Sequence, residues 1–141
     1  MKKYILIGLV SFLVWGSLQA QHKEEEAVKA TVTAFAKAAD DNDATLLDNY
    51  LDENYRIVMN RMFGSKQVDV MPKAVYLEKI RSKEFGGDDR QLKFDLVIIN
   101  GNTAMAKVVF TGSKMSFTSV LNLVKNEGGD WKLVNEIPVL I

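Results

Sequence analysis

The chain has no cysteine, two prolines, one histidine and no net charge. Without cysteine there can be no disulfide, thiolate chemistry, cysteine metal site or lipid attachment through a thiol, so core packing has to hold the fold. The single histidine, His22, lies close to a processing point and in what reads as a frayed terminus, which argues against a histidine triad or a zinc site. Eighteen basic residues balance eighteen acidic ones, leaving no broad basic footprint for nucleic acid. An apolar run of the roughly 20 residues needed to span a bilayer is also missing.

What is present begins with Met1, Lys2 and Lys3, an apolar run from Tyr4 to Trp15, and then Gly16-Ser17-Leu18-Gln19-Ala20. A basic start, a short apolar core and a small residue before a polar segment form the pattern of a secretory signal peptide. The rival reading, a membrane anchor, needs a longer apolar run. We expect cleavage after Ala20, a periplasmic or secreted protein with no stable membrane anchor, and one domain over residues 21–141. Losing Lys2 and Lys3 would leave a mature charge of about −2.

Val28, Val32, Phe35, Ala36 and Ala39 form one apolar stripe at helical spacing, behind acids at Glu24, Glu25 and Glu26 that favour the helix dipole. This predicts a helix from about Lys23 to Ala39. The acidic cluster Asp40-Asp41-Asn42-Asp43 fails the calcium-loop pattern: from Asp41, the sixth position is Leu46 rather than glycine and the twelfth is Asp52 rather than glutamate. It reads as a turn capping a short helix around Ala44 to Leu51. Tyr55 to Met62 predicts a strand whose two faces do not separate, and Pro72 opens a third helix that stops at Gly86-Gly87.

From Gln91 to Ile141 the chain predicts four strands joined by tight turns, Asn100-Gly101-Asn102 being the strongest hairpin signal. Strict alternation puts Leu92, Phe94, Leu96 and Ile98, then Ala104, Ala106, Val108 and Phe110, on the inner face. Met115, Phe117, Ser119, Leu121 and Leu123 follow, with Trp131, Leu133, Asn135 and Ile137 on the last strand. The outer face then carries Val97, Ile99, Met105, Val109, Val120, Val124 and Val134, more apolar surface than water ordinarily covers. Helices followed by an antiparallel meander specify an α+β domain.

This order resembles the nuclear transport factor 2-like superfamily, a cone in which helices pack on a curved, mostly antiparallel sheet that encloses a cavity. The resemblance covers nearly all of the mature chain. Its clearest pieces are Asn42-Asp43-Ala44-Thr45-Leu46-Leu47 before Tyr50-Leu51-Asp52, the stretch Phe117 to Lys125, and Trp131-Lys132-Leu133-Val134-Asn135-Glu136. Together they look most like the bacterial "putative lumazine-binding" group. In that group the position of Ser119 commonly carries an aspartate, and serine cannot act as an anionic general base. Members often pair sheet to sheet, which with the apolar outer face leads us to expect a homodimer.

Ser119 and Asn135 are polar groups on an apolar face, so each should have a partner, either in the protein or in a ligand at a cavity wall. Tyr50, Tyr55, Arg61 and Tyr76 sit beside apolar residues and join them as candidate ligand contacts. An inward Arg61 would favour an anionic ligand. No carboxylate falls on the inner face, Glu136 included, so no catalytic residue is assigned; neither is a metal ligand or a cofactor. The expected function is an exported domain that binds a small hydrophobic molecule. The alternative is an isomerase, cyclase or dehydratase acting on a hydrophobic carbonyl compound. That would need Asp52 or Glu53 as base and Tyr50 or Tyr55 as donor to an oxyanion.

Overall fold

The computed structural model describes residues 3–141, with side chains from Gly16 onward. The elements run α1 (Lys3–Asp40), α2 (Ala44–Asp48), β1 (Leu51–Asn60), β2 (Val68–Pro72), α3 (Lys73–Arg81), β3 (Gln91–Asn100), β4 (Thr103–Thr111), β5 (Ser116–Lys125) and β6 (Trp131–Leu140). The strands form one six-stranded sheet in the order β2-β1-β6-β5-β4-β3. Every pairing is antiparallel except β1 with β6. This is the α+β architecture that the sequence predicts, with helices packed on a mostly antiparallel sheet.

The predicted stripe on α1 is the helix's buried face: Val28, Val32, Phe35, Ala36 and Ala39 all lie in the core. The helix extends further toward the N-terminus than predicted, in one continuous run from Lys3. Most of the expected signal peptide lies outside the residues with described side chains; among the described residues, no helix is long and apolar enough to cross a membrane. At the other end Asp43 caps α2, its carboxylate accepting from the Leu46 N–H at 2.9 Å. That helix is shorter than predicted, and the chain is already extended at Leu51. Asp52 and Glu53 therefore belong to β1 rather than to a helix end.

Two strands depart from strict alternation, each by a single extra residue. In β3, Phe94 pairs with Val108 and Leu96 with Lys107, so Asp95 is an insertion against β4. Leu92 and Phe94 face the core as expected, but beyond the bulge Val97 and Ile99 turn inward. Leu96 and Ile98 turn outward, each 47% exposed. In β6, Leu133 pairs with Leu123 and Asn135 with Asn122, leaving Val134 as the extra residue. The same logic reverses the expected faces there. Glu136 points inward and is buried, while Ile137 is exposed and Asn135 takes the outer face. A bulge inserts one residue into one strand, so side-chain parity changes from that point on.

The outer face remains apolar after these corrections. Leu96 and Ile98 replace Val97 and Ile99 there, beside half-buried Met105, Val109, Val120 and Val134.

Two contacts fix the helices against the sheet at its α1 end. Asp40, at the end of α1, receives the Arg90 backbone N–H and its guanidinium Nε, and that guanidinium lies over the rings of Phe110 and Phe117. Asn42 takes a left-handed backbone conformation (φ 56°) and its amide donates to the carbonyls of Ile80 and Phe85, tying α1 to the end of α3. Gly86 is required here, because a side-chain carbon on it would meet the Ala39 carbonyl oxygen.

Candidate functional site

The parallel pairing of β1 with β6 stops at Ile57 and Glu136, although β1 runs on to Asn60 and β6 to Leu140. Pro138 lies just past the last pair and has no N–H to give a ladder. Beyond that point a cavity of about 280 Å³ opens between the sheet and the helices. Ile57 and Met59 line it from β1, Glu136 and Pro138 from β6, Phe117 from β5, Phe35 and Ala39 from α1, and Tyr76 and Ile80 from α3. The loops at Met62–Phe63, 84–90 and 114–115 complete the wall. Phe35, Tyr55, Tyr76 and Phe85 pack as a chain of tilted rings, with centroids 5.6 to 6.5 Å apart.

Glu136 is the buried acid of this wall. It is 5% exposed, and its Oε2 accepts a hydrogen bond of 3.0 Å from the Tyr55 hydroxyl. Burial pushes its carboxyl pKa up, an effect opposed by the Tyr55 hydrogen bond, the nearby Ser119 hydroxyl and the more distant Arg90 charge. Among the described residues, its hydrogen-bond partner of ordinary geometry is the neutral Tyr55 phenol, so ionising it is costly. Ser119 is fully buried, and among the described residues its hydroxyl has no hydrogen-bond partner in full geometry; it lies close enough to Glu136 to stabilise the carboxylate's charge.

The six residues singled out from the sequence have different places. Tyr55 is buried behind Glu136 and spends its proton on it; burial first, and then the Glu136 charge, push its own pKa well up. Tyr76 lines the cavity, and its hydroxyl has no hydrogen-bond partner among the described residues. Its pKa is also raised, mainly by burial and then by Glu136. Ser119 sits deeper, beside Glu136. Tyr50 packs half-buried against the core without lining the cavity. Arg61 is exposed in the turn after β1, in a left-handed conformation (φ 54°), and lies outside the cavity lining. Asn135 faces outward, accepting a 2.6 Å hydrogen bond from Asn122.

Glu136 was missed because strict alternation placed it outside. Asn135, Ile137 and Val139 share the face of Trp131 and Leu133 only if no residue is inserted between them, and an inserted residue leaves no mark in apolar periodicity. Asp52 and Glu53 do not line the cavity.

A raised carboxyl pKa means that the folded state holds the Glu136 proton more tightly than the unfolded chain does. Its contribution to stability is complete below the ordinary value of 4.5 and is lost as pH rises through the folded value. Thermal melting of wild type and Glu136→Gln between pH 4 and 8 should show the variant gaining on wild type as pH rises. A constant difference across that range would contradict the assignment. Tyr55→Phe removes a hydrogen bond to the charged form, so it should move the Glu136 carboxyl titration, followed by carbon-13 NMR, to still higher pH.

Solved structures place the fold among known ones. The chain is similar to a nuclear transport factor 2-like protein of unknown function from Silicibacter pomeroyi, at 17% identity over 86% of this chain and 98% of that one, with a TM-score of 0.75. A similar protein from Shewanella baltica matches at 18% identity over 84% and 94%, with a TM-score of 0.72. A ketosteroid isomerase-like protein from Erwinia carotovora matches at 15% identity over 84% and 96%, with a TM-score of 0.65. Comparison with curated proteins finds no match. A family profile described as "Putative lumazine-binding" matches residues 23–137. With that match spanning most of its length, and with the fold of its structural neighbours, the chain belongs to this family of nuclear transport factor 2-like domains.

Proposed function

We propose that this domain is exported and binds a small hydrophobic molecule carrying a hydrogen-bonding group, which Glu136 and Tyr76 receive. The observation that carries this reading is a buried carboxyl at the wall of an apolar cavity of about 280 Å³. Apolar lining with a few convergent polar groups is the usual make-up of a small-molecule site. Ionised Glu136 accepts from a hydroxyl, and the unpartnered Tyr76 phenol donates to a carbonyl or hydroxyl oxygen. The family description names lumazine; the aromatic walls suit a flat ring system of that size, and the hydroxyl of 2-naphthol tests the same contacts.

Fluorescence titration should show 2-naphthol binding the wild type. Because a hydrogen bond to a charged acceptor contributes about 1.5–3 kcal/mol, Glu136→Leu should weaken it at least about ten-fold. Equal affinity in the two proteins would remove Glu136 from the site.

Glu136 also favours a second reading, catalysis on a hydrophobic carbonyl compound, which one neighbour's description as ketosteroid isomerase-like supports. A desolvated carboxylate can take a proton next to a carbonyl while the Tyr76 hydroxyl donates to the developing oxyanion. Tyr55 cannot fill that second role, since its proton is already directed at Glu136. Conversion of a β,γ-unsaturated cyclic ketone to its conjugated isomer, followed by ultraviolet absorbance, should then occur in wild type and be lost in Glu136→Gln. No conversion by wild type rejects this reading and leaves binding intact.

The apolar outer face and the basic-apolar N-terminus support two further parts of the proposal, a sheet-to-sheet homodimer and cleavage after Ala20. Intact mass of the exported protein should begin at Gln21, and analytical ultracentrifugation at micromolar concentration should give a dimer. A full-length mass, or a monomer throughout, rejects the corresponding part.

A further inference from the structure

Most of the charged groups around the cavity already have partners. Glu84 is paired with Lys79, and Arg90 with Asp40. Asp88 is taken up by the loop across from it, accepting from the backbone N–H groups of Ser113, Lys114 and Met115 and from the Ser113 hydroxyl. Desolvation opposes the charge of Asp88, but these bonds with the Asp89 N–H hold its pKa well below the usual carboxylate range. Lys114 also lines the cavity, and its ammonium has neither an ion pair nor a hydrogen bond among the described residues.

The backbone that carries this exposed side chain is fixed. Asp88 pins the backbone on both sides of Lys114 as well as at Lys114 itself, so the loop carries its side chain from a fixed base. Across the mouth, Gly87 leaves the space that the side chain occupies: a carbon added to Gly87 would come within 3.2 Å of Lys114 Nζ. Gly87 also adopts φ +65°, so both the backbone and the space favour glycine there. Glu136 lies on β6 and Lys114 on the loop before β5, so the two groups reach the same cavity from different elements.

We propose that the ligand of this cavity is anionic at its outer end, an apolar or aromatic carboxylate whose charged group Lys114 receives while its body lies against the aromatic wall. The inference rests on the cavity-binding reading and adds to it the charge of the ligand and the end by which it is held. An ammonium at the edge of an apolar space selects an anion over a neutral analogue of equal shape, because only the anion gains the Coulomb attraction there.

The test uses two fluorescent probes that differ in charge, 6-hydroxy-2-naphthoate and its neutral methyl ester, titrated into the mature protein at pH 7.5. Wild type should bind the acid about five-fold more tightly than the ester, the scale of a partly exposed ion pair, and 1 M salt should abolish the difference. Lys114→Gln should lose that preference without weakening the ester, and Lys114→Arg should keep it. Equal binding of acid and ester by wild type, or equal weakening of both in Lys114→Gln, overturns the role of Lys114 and leaves the cavity reading standing. If neither probe binds wild type, the cavity reading fails and this inference fails with it.

Discussion

One extra residue in the last strand decides which polar side chain the sheet buries. With Val134 inserted against β5, side-chain parity reverses after Leu133, and Glu136 and Pro138 face inward while Asn135 and Ile137 face out. Without the insertion the inner face would continue as apolar surface with an amide in it. The same reversal sets Pro138, which has no N–H, at the place where β1 and β6 part. The cavity between sheet and helices lies beyond the last pair of these parallel strands, Ile57 with Glu136.

A desolvated carboxyl is expensive, and its surroundings keep it so. Tyr55 supplies one neutral hydrogen bond, the Ser119 hydroxyl lies near without full bonding geometry, and the cation of Arg90 is committed to Asp40. The site therefore keeps a group that can hold or release a proton, rather than one locked as an anion by an ion pair. Around it the frame is fastened at points remote from Glu136. Asp40 joins α1 to the start of β3, Asn42 joins α1 to the end of α3, and Asp88 joins the loop before β3 to the loop before β5. These three links hold the rim of the cavity, so its aromatic walls need not collapse onto each other.

Much of the fold was legible because it rests on long, regular patterns. The α1 stripe from Val28 to Ala39 and the alternation in β4 and β5 were each repeated over enough residues to outweigh a local ambiguity. The faces of β3 and β6 were legible only up to Asp95 and Val134. A bulge shifts parity by one residue while leaving composition unchanged, and both sides of β3 are apolar enough to accept either register. The candidate site was legible only in part for the same reason. Ser119 and Tyr55 come together around Glu136, and Tyr76 lines the same cavity, but Arg61 and Tyr50 stand apart from it, and Asn135 answers Asn122 on the opposite face.

By itself the sequence determined the class of the domain, the order of its elements and the absence of thiol chemistry, because these follow from composition and from periodicities of 3.6 and 2. Only the tertiary structure decided that an acid lies inside. That outcome depends on pairing between β5 and β6, where a single unpaired residue turns Glu136 from a surface charge into the polar centre of an apolar cavity.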